Sequence, residues 1–448
     1  MKMERIDLLN GRILPVLTKL TIPIVLTAMI QMAYNMTDML WIGKLGANSV
    51  AAIGVAGMFT WLSNGLVMMP RIGGQVKTGH SIGENNFENT IIYESASFQI
   101  AIVFALFFAL IMVFMAPFLV GLFHLNNNYT IISATGYMRV CCGLCIFNFL
   151  NQIITGIFFA TGDSQTPFVA NSIGLAVNIV LDPLFIFGFG FIPALNVLGA
   201  AVATVLAQMI VTMVFVLIIF KNNNIIKKIR LNKIYHPDYY INILKIGFPM
   251  ALQNMLFSIC SMVVARFVAG YGDGAVAAQK IGTQIESISW GMGDGFQAAI
   301  NSFIAQNYGA QKIHRVKKGY RTMMMIAVIW GTICMAVLIL HPDHIFRLFL
   351  NDAKVLPIGV GYLTIIGYSQ IFMICEITTA GAFSGLGNSF PPSFVSIVFT
   401  LARIPFIFVL TDFFGLDGIW WAISFSSILK GIVSFAWFER YKKKRLIE

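Results

Sequence analysis

Two carboxylates set in apolar sequence, Asp38 and Asp182, carry the most demanding chemistry in this chain. An ionisable group inside a membrane span costs about 2.5–3.5 kcal/mol on insertion scales, so each needs a partner or a task. Gln31, Tyr34, Asn35 and Asp38 recur at helical spacing and share one stripe of a helix. Asn178 and Asp182, four residues apart, share a face of another. Pro183, directly after the acid, lacks a backbone N–H and frees a carbonyl nearby. Carboxylates, an amide oxygen and a free carbonyl are hard donors, the set that suits a proton or a hard cation such as sodium.

Other chemistries find no support in residue spacing. The six cysteines, Cys141, Cys142, Cys145, Cys260, Cys334 and Cys375, all fall in apolar runs, which argues against a disulfide framework. Cys142-x-x-Cys145 has no second Cys or His pair nearby and reads as small apolar packing. The six histidines lie in joints and form no HExxH or other ligand pattern. A membrane enzyme would need His, Asp or Glu clustered at one membrane face, and no such cluster is seen, so no catalytic residue is expected. There is no GxxxxGK[ST] loop and no joint long enough for a nucleotide domain, which excludes an ATP-driven pump.

The elements that must position these residues follow from composition. Of 448 residues 58% are hydrophobic and 11% charged, with a mean hydropathy of +0.79, far from the roughly 25% charged of a soluble domain. Apolar runs of about 20 residues each cross a core of about 30 Å as a helix, since lipid forces the backbone to satisfy itself. The expected spans are 14–40, 48–72, 90–120, 131–160, 166–190, 195–220, 242–271, 276–305, 319–340, 356–385, 391–414 and 416–438. Met1 to Arg12 is polar and charged and the first apolar run lacks a cleavage pattern, so that run is expected to stay as helix one.

Charge tests the count. Assigning alternate joints to opposite faces puts twenty-one Lys and Arg on one face, including Lys221 to Lys245 and Arg440 to Arg445. The other face holds four, Lys44, Arg139, Arg347 and Lys354. The positive-inside rule then places both termini in the cytoplasm of a multi-pass plasma-membrane protein. The net charge of +11 is topology anchoring, and no nucleic-acid partner is expected.

The chain also repeats itself. Leu17-Thr-Lys-Leu-Thr-Ile-Pro23 matches Ile243-Leu-Lys-Ile-Gly-Phe-Pro249, and the same register carries Gly46 onto Gly272, Val50-Ala51-Ala52 onto Val276-Ala277-Ala278 and Gly83 onto Gly309. Gly162-Asp-Ser-Gln-Thr-Pro167 meets Gly387-Asn-Ser-Phe-Pro-Pro392 one residue out of that register. The expected fold is an all-α membrane protein of twelve transmembrane helices in two homologous six-helix lobes around a central cleft. Its parts are an N-terminal lobe, 1–220, a cytoplasmic linker, 221–241, and a C-terminal lobe with a basic tail, 242–448. Six spans per repeat relate the lobes by an axis along the membrane normal, an architecture suited to alternating access by rocking. The lobes differ in charge. Asp38 lies roughly 29 Å past Lys19 and Asp182 roughly 22 Å past Pro167 along their helices, both in the outer half of the first lobe. Arg139 is the base that could reach them. The second lobe holds Arg266, Lys280 and Arg403 against Glu286, Asp294 and Glu376, a balance that suggests internal pairs, with Arg403 and Glu376 as partners.

Asn35-Met-Thr-Asp-Met-Leu-Trp-Ile-Gly-Lys-Leu-Gly46 with Val50-Ala-Ala-Ile-Gly54 resembles the first-helix signature of the multidrug and toxic compound extrusion (MATE) transporters. Asn178-Ile-Val-Leu-Asp-Pro-Leu-Phe-Ile-Phe-Gly188, Gly199-Ala-Ala-Val-Ala-Thr204 and Gln306-Asn-Tyr-Gly-Ala310 are similar to later motifs of the same family, and the likeness covers essentially the whole chain. The resemblance implies secondary active efflux of cationic amphipathic compounds in exchange for protons or sodium ions, with no cofactor. By motif position it implies a cation site at Asp38, Asn178 and Asp182, as in the DinF-like branch, which would also be the sodium site if sodium is the coupling ion. Gln31, Tyr34, Asn35, Asn151, Thr204 and Gln253 are expected to meet the cargo. NorM-like members place a glutamate on helix seven after its early proline; here the residues after Pro249 read Met-Ala-Leu-Gln253-Asn254, so a carboxylate site of that kind is not expected. The expected partners are small organic cations and the lipid bilayer, and the protein is expected to be monomeric. A lipid-linked sugar flippase of the same superfamily is the rival reading. Such a protein needs basic residues for a pyrophosphate, whereas the first lobe is acidic.

Overall fold

The structure is a computed structural model that describes residues 6–123, 127–190, 193–221, 228–350 and 352–446, with the side chains of Asn35 and Ala47 outside the described set. The positions of Lys2, Arg5 and Lys227 in the charge tally lie outside it as well. Among the described residues the regular elements are sixteen α-helices. The first repeat contains α1 (Ile13–Gly43), α2 (Ala47–Gly83), α3 (Phe87–Gly121), α4 (Asn128–Gly143), α5 (Ile146–Ala160), α6 (Gln165–Phe187) and α7 (Val197–Lys221). The second contains α8 (Pro237–Ala269), α9 (Asp273–Gly309), α10 (Ile313–Leu340), α11 (Pro342–Arg347), α12 (Leu356–Gly367), α13 (Gln370–Gly385), α14 (Phe390–Leu401), α15 (Arg403–Phe414) and α16 (Leu416–Arg445).

Nine stretches of the described chain are long and apolar enough to cross a bilayer, α14 and α15 together forming one of them. The bent pairs α4–α5 (44°) and α12–α13 (51°) raise the number to eleven. Helix α9 completes the twelve: it has 37 residues, and its Gln279, Lys280, Gln284, Glu286 and Asp294 make it too polar to pass on hydropathy. The spans expected at 131–160 and 356–385 are therefore not continuous helices. Neither break has a proline; each follows a glycine, Gly143 or Gly367, the residue that least favours helix after proline.

Duplication is visible in the backbone itself. Helices α2 and α9 have the same length and are both preceded by a glycine with a conformation closed to other residues, Gly46 at φ 95°, ψ 173° and Gly272 at φ 97°, ψ 172°. Asn85 (φ 55°) and Gln311 (φ 57°), which follow those helices, are likewise left-handed.

The chain divides into two compact units, Met1–Asp7 with Ile22–Phe248, and Leu8–Thr21 with Pro249–Glu448. Helices α1 and α8 each change unit next to their proline, Pro23 or Pro249. In the first unit the start of α8 lies against α2 at backbone distance. A methyl group on Gly247 would strike the Met69 backbone and one on Gly73 the Ile243 backbone, the close approach that small residues permit in membranes. Tyr240 Oη donates to Gln99 Oε1 at 2.6 Å and Tyr239 Oη to Asn89 Oδ1 at 3.2 Å, fixing the same segment. In the second unit the residues before α1 are held by their carbonyls. Arg315 donates to Gly11 O (2.8 Å), Leu8 O (3.1 Å) and Asn10 O (3.2 Å), Lys312 Nζ to Leu9 O (2.9 Å), and Asn307 Nδ2 to Leu8 O (3.0 Å). Asn307 belongs to the Gln306-Asn-Tyr-Gly-Ala310 motif, so that motif has a structural task.

Candidate functional site

The first unit brings Asp38 of α1, Asn178 and Asp182 of α6, and Thr204 of α7 together. Small residues make this meeting possible. Gly199 would strike the Phe185 carbonyl if it carried a Cβ, and Gly174 meets Val211, so α6 and α7 run in close contact. Asn178 and Asp182 are wholly buried, on one face as their spacing requires, and Asn178 Nδ2 donates to Asp182 Oδ1 at 3.1 Å. The Asp38 side chain lies against both of them. Thr204 Oγ1 donates to Asp38 Oδ2 at 3.3 Å, and Tyr34 Oη donates to Thr204 O at 3.3 Å. Pro183 sits inside α6, which continues to Phe187.

One oxygen on each of the three residues is left over. Asp38 Oδ1, Asn178 Oδ1 and Asp182 Oδ2 are buried without a hydrogen-bond donor among the described residues. Buried polar atoms are usually satisfied, so three orphaned acceptors in one cluster call for a proton or a cation. Arg139, the base expected within reach, is exposed and donates instead to Val113 O at 3.3 Å. No group of three or more His, Cys, Asp and Glu of metal-site kind occurs among the described residues.

A cavity of about 240 Å³ opens beside Asp38, lined from α1, α2, α4, α5, α6 and α7. Gln31, Tyr34, Asn151 and Thr204 of the expected cargo residues line it. Gln253 does not: it belongs to the second unit, since α8 changes unit at Pro249, and its Oε1 is buried without a hydrogen-bond partner among the described residues. The Asn35 side chain lies outside the described set. Residue order alone does not single out Asn148, Gln152 and Gln208, which also line the cavity. Asn148 and Gln152 flank Asn151 in one apolar run and Gln208 interrupts another, the usual pattern of hydrogen bonds between helices.

The second unit corrects the expected pairing. Arg266, Lys280 and Asp294 are exposed, and the buried charges among the described residues of this unit are Glu286, Glu376, Arg403, Lys430 and Lys442, of which Lys430 is missing from the tally of span charges above. Glu376 pairs with Lys430, Nζ to Oε2 at 3.9 Å, and not with Arg403. Arg403 Nε donates to Ser426 Oγ (2.6 Å) and Nη2 to Ser427 Oγ (3.3 Å), with its guanidinium 5.4 Å from the Phe257 ring centroid. Tyr362 Oη donates to Glu286 Oε2 at 3.2 Å.

Twelve membrane helices in two homologous sets, with a buried oxygen cluster beside a polar cavity, define a membrane transport protein. The MatE family profile matches the chain twice, over residues 23–184 and 249–409. The chain belongs to the MatE family. It is 26% identical over 416 residues to a probable multidrug resistance protein NorM of Thermotoga maritima, covering 90% of this chain and 87% of that one. It is 23% identical over 440 residues to a FAD transporter of Shewanella oneidensis, covering 96% of each. A solved structure of a MOP superfamily transporter from Pyrococcus furiosus superposes with a TM-score of 0.91 over 98% of both chains at 22% identity. That protein's binding pocket is described as of reverse polarity, suggesting a different function. Cargo must therefore be argued from this chain's own cavity.

Proposed function

We propose that the protein is an efflux antiporter that exports cationic compounds in exchange for protons or sodium ions. Asp38, Asn178 and Asp182 form the coupling-cation site, and the adjoining cavity takes the cargo. The observation that carries this reading is the trio of orphaned oxygens beside a cavity whose single charged lining residue is Asp38. Two carboxylates in contact inside a low-dielectric unit cannot both ionise cheaply, so one proton or one cation is held between them. Uptake of that ion removes the charge that retains a cationic cargo, and the cargo leaves as the ion enters. The switch between states is alternating access of the two homologous lobes, 1–220 and 242–448, joined by 221–241. A cargo with a pyrophosphate, such as FAD or a lipid-linked sugar, has no basic side chain to meet among the residues lining this cavity.

The test is efflux of organic cations, a polyhydroxylated ammonium as well as ethidium, from proteoliposomes under an imposed pH gradient and, separately, a sodium gradient. Transport driven by either identifies the coupling ion; failure with every organic cation under both would turn the assignment toward the flippase. The same reading places the protein in the plasma membrane as a monomer with cytoplasmic termini. Single cysteines at Asn127 and Asp412 are expected to react with an impermeant reagent on intact cells, and one at Lys443 is not. Labelling of position 443 from outside would reverse the topology. Asn223, a second inner position, lies outside the described residues.

A further inference from the structure

The cavity beside Asp38 is built from amides. Seven of its lining residues carry carboxamides, while none is Phe, Trp, His, Lys or Arg. Some of these amides are spent on the scaffold: Asn151 Nδ2 donates to Gln208 O (2.9 Å) and its Oδ1 accepts from Thr212 (2.8 Å), while Asn148 donates to Asn64 Oδ1 (3.0 Å). Others are not. Gln152 Oε1 is buried with no partner among the described residues, and Gln31 and Gln208 present further amides to the same space. Ligand pockets are ordinarily apolar and aromatic and span roughly 300–1,000 Å³; this one is polar and, at about 240 Å³, small. Its two aromatic rings are those of Tyr34 and Tyr137, and Tyr137 is 8% exposed, so little ring face is offered to a flat cation.

We infer that the cargo of this cavity is a small, hydrogen-bond-rich cation, an ammonium compound bearing several hydroxyl or amide groups, rather than a lipophilic aromatic cation. This rests on the antiporter reading above and narrows it. Asp38 supplies the counter-charge, and the unspent amides bind the polar groups. A site of this kind discriminates strongly, because a cargo without those groups leaves buried amides unpaired.

Glucosamine and tetraphenylphosphonium separate the alternatives, with binding of each radiolabelled cation measured by equilibrium dialysis on purified protein in nanodiscs. Wild type, Gln152→Leu, Gln31→Leu and Asp38→Asn are compared, with thermal unfolding of each variant to verify the fold. Glucosamine is expected to bind more tightly than tetraphenylphosphonium, and each Gln→Leu change to weaken glucosamine about tenfold or more, in the range of a lost buried hydrogen bond. The same changes should leave tetraphenylphosphonium unweakened. Asp38-dependent binding of tetraphenylphosphonium with none of glucosamine would overturn the cargo class and leave the antiporter reading standing. Binding of both cations that ignores Asp38→Asn would sink the antiporter site itself.

Discussion

Asp38→Asn and Asp182→Asn are each expected to lower gradient-driven efflux about 100-fold, equivalent to about 2.7 kcal/mol, while the protein remains folded. Asparagine keeps the volume of the acid and stands in for its protonated form, so packing around the wholly buried Asp182 changes little. What is lost is a charge that can be gained and given up. A cation facing one carboxylate instead of two in a low-dielectric site loses a large electrostatic term. The decisive measurement follows cargo efflux and proton or sodium flux together in liposomes. Wild-type coupled transport in both variants would mean that the carboxylates are structural. Asn178 adds a distinction: its Nδ2 is occupied by Asp182 and its Oδ1 has no donor among the described residues, so Asn178→Leu would remove the proposed sodium ligand but no proton carrier. Loss of sodium-driven transport with proton-driven transport retained would identify the amide oxygen as a ligand.

The second large effect concerns the ion pair of the other unit. Glu376→Gln strands the Lys430 ammonium, whose side chain is 6% exposed, and Lys430→Met strands the Glu376 carboxylate, 8% exposed; breaking a buried pair this way costs about 3–5 kcal/mol. The single variants should therefore give much less folded protein, and the double variant should recover most of it. Arg403→Gln is the control. Its hydrogen bonds run to Ser426 and Ser427, so Glu376→Gln should not rescue it. Melting temperatures of the four combinations yield the coupling directly. Coupling of Glu376 to Arg403 as strong as that to Lys430 would show that the 3.9 Å pair is not the dominant one.

How much of this was legible in the sequence depends on what constrains each feature. Span number and repeat register were readable because lipid enforces both: every backbone group in a span must be satisfied, and each tight turn needs its glycine, as Gly46 and Gly272 demonstrate. The breaks after Gly143 and Gly367 were not, since a glycine inside an apolar run is compatible with either a straight or a bent helix. The meeting of Asp38 with Asp182 was foreshadowed by stripe and depth, while its closeness rests on the Gly- and Ala-rich face of α7, a packing property. Gln253 lies apart from the other expected cargo residues because helix α8 serves both units. Lys430 escaped notice inside a run of Ser, Ile and Phe, and only its neighbour Glu376 reveals what it does.

The sharing of α1 and α8 between units bears on how the chain is made. Asn307, which holds the Leu8 carbonyl, leaves the ribosome 299 residues after Leu8 does. At roughly 5–20 residues per second that is a delay of about 15–60 s. Through that interval Leu8–Thr21 already stands at the membrane while the rest of its unit is unmade. The second unit cannot close around Leu8–Thr21 until α9 has been made, so the early segment waits for its partners. A ribosome that stalls after α7 leaves the residues before α1 without their cradle and the first unit without the start of α8, exposing both to quality control.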